Sequence, residues 1–185
     1  MDKPIRPQWN HPEVKTASVC GVMDEIRAWA SDRGVVAEDV NMDEFRAVIT
    51  LAVLESADAY ETCRYIDTFL RWPVDIELIR ILDRAFRAMP NEAQRFVREW
   101  VMRNAVRFKA QKGQDVRFRV GPRELVGTVV DVVSTEARAF VTIPNVKGVI
   151  TVLAEDVIKV HISRQSPRNT PPEGGTPIAV KAHAA

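Results

Sequence analysis

"KGQDVRFRVGPRELVGTVVDV", Lys112 to Val132, is where the period of the chain changes. Val116, Phe118 and Val120 alternate with Arg117 and Arg119, the two-residue repeat of a strand with one dry face. Further β-rich runs follow at 125–133, 137–143, 147–153 and 157–162, with short connections between them. "IPNVKG" (143–148) reads as a tight hairpin. Five short strands within some fifty residues suit a small closed barrel, which removes exposed sheet edges.

Upstream of Gly113 the repeat is helical. Pro12 suits a first helical turn, and Val19, Val22, Ile26 and Trp29 continue one face to a stop at Gly34, so one helix is expected over 13–33. Asn41 followed by Glu44 has the shape of a capping box. Phe45, Val48, Ile49, Ala52 and Val53 then share a face, continued by Tyr60, Cys63, Ile66, Phe69 and Leu70. This stretch is one helix over 42–70 or two that break near "SADA" (56–59). Pro73 opens another helix, with Ile76, Leu78, Ile81, Leu82, Ala85 and Phe86 inward. Pro90 repeats the device, and the helix after it puts Phe96, Val97, Trp100, Val101 and Phe108 on one side.

Both ends differ from this. Residues 1–11 read as an extended arm, because prolines at 4 and 7 and a third at 12 forbid regular pairing. Residues 163–185 are rich in Pro and Gly with almost no large apolar residue, so that tail is expected to be disordered alone.

The strand-rich segment resembles the SH3-like fold and, within it, the KOW-type module. Gly113, Val116, Phe118, Gly121, Gly127 and Val129 fill the places of the module's glycines and alternating apolar residues. "AEDVIKV" (154–160) resembles the turn and last strand with which such barrels close. The pattern departs at Gln114, where the module has an acid, and the loop to the second strand is about a residue short. The resemblance covers 112–162 only and implies a fold, since such barrels serve many functions. The expected organisation is therefore α+β: an arm (1–11), an all-helical domain of four to five helices (12–110), a five-stranded SH3-like β-barrel (111–162) and the tail (163–185).

Several chemistries lack their residues. His11, His161 and His183 lie in dissimilar segments, none within metal-ligand spacing of another His or Cys. Cys20 and Cys63 sit in helical patterns, without CxxC and without a neighbouring His, and read as free buried thiols rather than a disulfide. Neither GxSxG, GxGxxG nor GxxxxGK[ST] occurs. The expectation is a protein with no catalytic residues, no metal and no cofactor. No run approaches the ~20 apolar residues of a membrane span, and the start is not a secretory signal, so a cytoplasmic address without membrane contact is expected.

Charge distribution is the remaining signal. Formal net charge is +1, but residues 24–63 hold ten acids against three bases, while 91–123 hold nine bases against three acids. Those nine bases, Arg95, Arg98, Arg103, Arg107, Lys109, Lys112, Arg117, Arg119 and Arg123, form a candidate binding stripe able to neutralise phosphates. Asp43, Glu44 and Glu55 form a candidate acidic docking face, so the same numbers suit self-complementary docking. Three functions follow. The first is a non-catalytic protein-binding or assembly protein of a prokaryote or its mobile elements, with a protein partner or self-association. The second is a sequence-tolerant nucleic-acid-binding regulator contacting phosphates through the stripe. The third is an accessory subunit of an enzyme.

Overall fold

A computed structural model of the chain describes residues 5–37 and 41–161. The expected tail at 163–185 and the first four positions of the expected arm lie outside them.

Helices fill the first half. α1 (Pro12–Cys20) and α2 (Met23–Asp32) replace the single helix expected over 13–33. The chain turns at Gly21 and Val22, where the Val22 N–H reaches back to the Val19 carbonyl at 3.1 Å. α3 (Met42–Leu54) starts at the expected cap: Asn41 Oδ1 accepts from the N–H groups of Asp43 (2.9 Å) and Glu44 (3.4 Å). The pattern breaks at "SADA". α4 (Ala59–Tyr65) begins afresh there, with Asp58 capping Glu61 N–H and the Glu61 carboxylate accepting from Ala57 N–H. A π-helical turn, Ile66–Leu70, follows and ends at Arg71 in the left-handed region, φ 58°.

α5 (Ile76–Arg103), capped by Asp75, runs unbroken through Pro90, where a new helix was expected. Proline withholds the N–H that the Phe86 carbonyl would receive. Continuity is favoured because Leu82, Ala85 and Met89 before it and Val101 after it are all buried along the same rod.

The helical core is deep. Ile26, Trp29, Ile49, Leu78, Leu82 and Met89 are enclosed, and Trp72 stacks on Phe45 at 5.9 Å. Three residues expected inward point to solvent instead: Tyr60, Phe69 (68% exposed) and Ile76. The π turn widens the helix by a residue and rotates the face, so Ile66 stays buried while Phe69 turns out beside Tyr65, ring centroids 4.6 Å apart.

The second half is a five-stranded antiparallel sheet of β1 (Asp115–Val120), β2 (Arg123–Val133), β3 (Arg138–Thr142), β4 (Ile150–Leu153) and β5 (Val157–His161), in the order β4-β3-β2-β1-β5. The edges β4 and β5 are not paired with each other, so the ladder stays open where a closed barrel was expected. Gly121 at φ 56° and Pro122 make the two-residue turn from β1 to β2. The expected tight hairpin at 143–148 is a longer loop, 143–149, because β4 starts only at Ile150. Gly127 has another reason to be glycine: a Cβ there would meet the Thr142 carbonyl oxygen and Val141 Cγ1 at 2.5 Å each.

Val116, Phe118, Val129, Ala139, Val141 and Val152 form the sheet's dry face. Phe140, expected in that core, stands between Ala139 and Val141 and so faces the other way, under the Arg138 guanidinium at 5.4 Å. The linker after α5 contributes Phe108 and Ala110 to the sheet core, which turns Arg107 and Lys109 outward.

The halves meet around Glu136, a buried residue in the 3₁₀ turn Ser134–Glu136. Its carboxylate takes Arg98 of α5 at 3.3 Å and Arg138 of β3 at 2.8 Å. The arm docks here too. Arg6 forks onto Glu155 (2.5 and 2.8 Å), donates to the carbonyls of Glu136 (2.8 Å) and Ala137 (3.3 Å), and lies over the Trp100 ring. Trp100 is therefore a half-buried platform for the arm, outside the helical core.

Candidate functional site

The nine bases of the expected stripe divide into two groups. Arg95 is held by Glu92 (2.9 Å) and Glu99 (2.8 Å), three and four residues away on α5. Arg98 is committed to Glu136, and Arg119 to Glu124 across the hairpin at 3.4 Å. Arg103, Arg107, Lys109, Lys112, Arg117 and Arg123 are exposed and have no carboxylate partner among the described residues. The α5 end of the stripe is largely neutralised, and the free positive charge gathers at the linker and β1.

Register adds a cation that the pattern of charges had not singled out. Arg117 of β1 sits directly opposite Lys159 of β5. Like charges at such a position repel and destabilise the pair. Lys159 also lines, with Arg107 and Lys109, a cleft of about 510 Å³ between the linker and β5, floored by Val157, Ile158 and Val160 and with no carboxylate among its described lining residues. Among the described residues β5 is an edge strand, with only β1 beside it. Its alternation was legible, but nothing local indicated that its outward lysine would face Arg117.

A second cleft, about 600 Å³, opens between the end of α5 and the 3₁₀ turn before β3. Val101, Met102, Val106 and Phe108 line it, with Arg98, Arg107, Ser134 and Thr135 as its polar groups. Arg107 lines both clefts.

The three acids of the expected docking face stand at the two ends of one helix. Asp43 and Glu44 lie in the first turn of α3, and Glu55 caps its far end, about 18 Å away along the axis. All three are exposed, and Asp43 has only a loose partner in Arg46 at 3.9 Å. No contact joins these acids to the bases of the stripe among the described residues.

Reactive groups are sparse. Burial, and then the Asp75 charge, push the Cys63 thiol up to about 12, which keeps it protonated and inert. Cys20 is exposed on α1, where a buried thiol was expected, because it is the last residue of the helix, away from α3 and α5. Among the described residues no three His, Cys, Asp or Glu groups gather where they would hold a metal ion, and no helix is long and apolar enough to cross a membrane. No family model matches this chain, and neither a curated protein nor a solved structure matches it significantly.

Proposed function

We propose that this chain is a non-catalytic binding protein that holds the backbone of a nucleic acid on the cationic surface of Arg107, Lys109, Arg117 and Lys159. The observation that carries the reading is the cross-strand pair Arg117 and Lys159, two cations opposed in register beside a cleft with no acid among its described lining residues. An arrangement that costs the free protein stability is offset when a polyanion lies across it. Phosphates are evenly spaced, and the cations follow the linker and two strands, so contact is tolerant of sequence. The sheet serves as a platform and is read as SH3-like. Support for that reading comes from the meander β1 to β4, a 3₁₀ turn, and the return of β5 beside β1. A cytoplasmic place of work accords with such a partner.

The test is retardation of unrelated duplexes and single strands at low salt. Four phosphate contacts give a slope of log affinity against log salt of about −3.6 on duplex DNA, and replacing Arg117 and Lys159 with Gln flattens it by about 1.8. An absence of retardation by the wild type at low salt overturns the proposal.

A second reading, assembly with a protein partner or another copy, is favoured by one feature. The exposed Phe69, beside the half-buried Tyr65, borders a groove lined also by Glu55 at the end of α3 and Glu61 of α4. A changed elution volume in Phe69→Ser, with nucleic-acid binding intact, is its expected signature.

A further inference from the structure

Resting on the phosphate-binding reading, we infer that the nucleic acid is single-stranded and that an unstacked base enters the cleft between the end of α5 and the 3₁₀ turn before β3. The two clefts differ in chemistry and share a wall. The first is cationic, through Arg107, Lys109 and Lys159. The second is mainly apolar, through Val101, Met102, Val106 and Phe108, with two guanidinium groups and two hydroxyls as its polar groups. Arg107 stands on the ridge between them.

A nucleotide has the matching division: an anion joined through a short sugar to a flat ring with apolar faces and a polar rim. A site that takes such a ring needs apolar walls, an aromatic or flexible surface to stack on, and a few polar groups for the rim. Phe108 supplies the aromatic surface, and Arg107, Ser134 and Thr135 supply the polar groups. Met102 is 79% exposed at the end of α5, a flexible apolar side chain left largely uncovered by the described residues. A base seated in the cleft covers it. The occupant follows from continuity with the cationic cleft and from charge complementarity. A duplex keeps its bases stacked and paired and presents phosphates only, so it fills the first cleft and leaves the second empty.

The experiment measures affinity of the full chain at low salt by fluorescence anisotropy, using oligo-dT, an abasic single strand of equal length, and a duplex. Oligo-dT is expected to bind roughly tenfold more tightly than the abasic strand, as one stacked base provides. Met102→Ser, at an exposed position, is expected to reduce binding of oligo-dT severalfold and leave the abasic strand and the duplex unchanged. Oligo-U showing the same pattern supports the inference for RNA as well. Equal affinity for all three probes, unmoved by Met102→Ser, overturns the single-strand inference while the phosphate reading stands. Binding of none of them, with capture of poly-glutamate instead, overturns both and assigns the clefts to an acidic protein segment.

Discussion

Trp29 and Phe118 are both fully enclosed, yet they sit in cores of different depth. Around Trp29 the enclosed residues are Ile26, Ile49, Leu78 and Leu82, with Phe45 and Trp72 close by, and its indole N–H donates to Asp75 at 3.0 Å. Around Phe118 they are Val116, Val129, Ala139, Val141 and Val152, smaller side chains on an open sheet with two free edges. The helical half meets its own needs for burial. The sheet draws on residues from elsewhere: Phe108 and Ala110 of the linker, Arg98 of α5, and Arg6 of the arm. The second half of the chain is thus held in place by the first, which puts the linker, and with it Arg107 and Lys109, in a defined position against β5.

This contrast can be broken most directly at Phe118. Phe118→Ala should cost about 3–5 kcal/mol, enough to melt a core that shallow while α1 to α5 persist. Hydrogen exchange should then show the β-strand amides unprotected and those of α3 and α5 still slow. Simultaneous loss in both halves would mean that they form one cooperative unit.

A smaller effect sharpens the role of the arm. Arg6→Ala removes the fork onto Glu155 and the donors to two carbonyls, for about 1–3 kcal/mol. The loss should appear in the thermal transition of the sheet, with the packing of Trp29 unaffected by near-ultraviolet circular dichroism. An unchanged sheet transition would refute the dependence on the arm.

Acid should act on the halves with opposite sign, though weakly. Burial alone would raise the Asp75 carboxyl, but bonds from Leu78 N–H, Arg33 and Trp29 outweigh it and hold the group below its ordinary range. Its contribution is present above the unfolded value near ~4 and lost as pH falls through the folded value. Burial first, and then Glu155, push Asp156 in the turn before β5 above its ordinary value. Its contribution is present at low pH and lost as pH rises through that raised value. Melting curves across this range should show Asp75→Asn flattening the acid loss of the helical half and Asp156→Asn removing the opposite trend of the sheet. The same trend in both variants would contradict the assignment.

Local patterns carried much of this architecture. The change of period at Gly113, the break at "SADA", the Asn41 cap and the dry faces of β1 and β2 all depend on neighbours in sequence. So does the neutralisation of Arg95, whose acids stand three and four residues away. What the patterns missed depends on long-range packing. Continuity through Pro90 is set by burial on both sides of it, and the outward turn of Phe69 by one extra residue in a π turn. Phe140 faces out because the two smaller residues beside it take the core. At the candidate site, Arg107, Lys109 and Arg117 were legible as members of a run of nine bases against three acids. Lys159 and the buried Glu136 were not, because their partners lie on other strands or on α5.

Arg6 and Glu155 are separated by 149 positions, so the clamp between them has a consequence in time. A ribosome releases Arg6 first and Glu155 last among the residues the clamp joins. The helical half, rich in near-neighbour contacts, can collapse while the sheet is still being made. The arm must wait through that interval, its guanidinium free in water, and engage only when the turn before β5 emerges. Completion of β1 to β4 is thereby registered in the arm ahead of α1, and a chain cut short before Glu155 leaves Arg6 without its carboxylate.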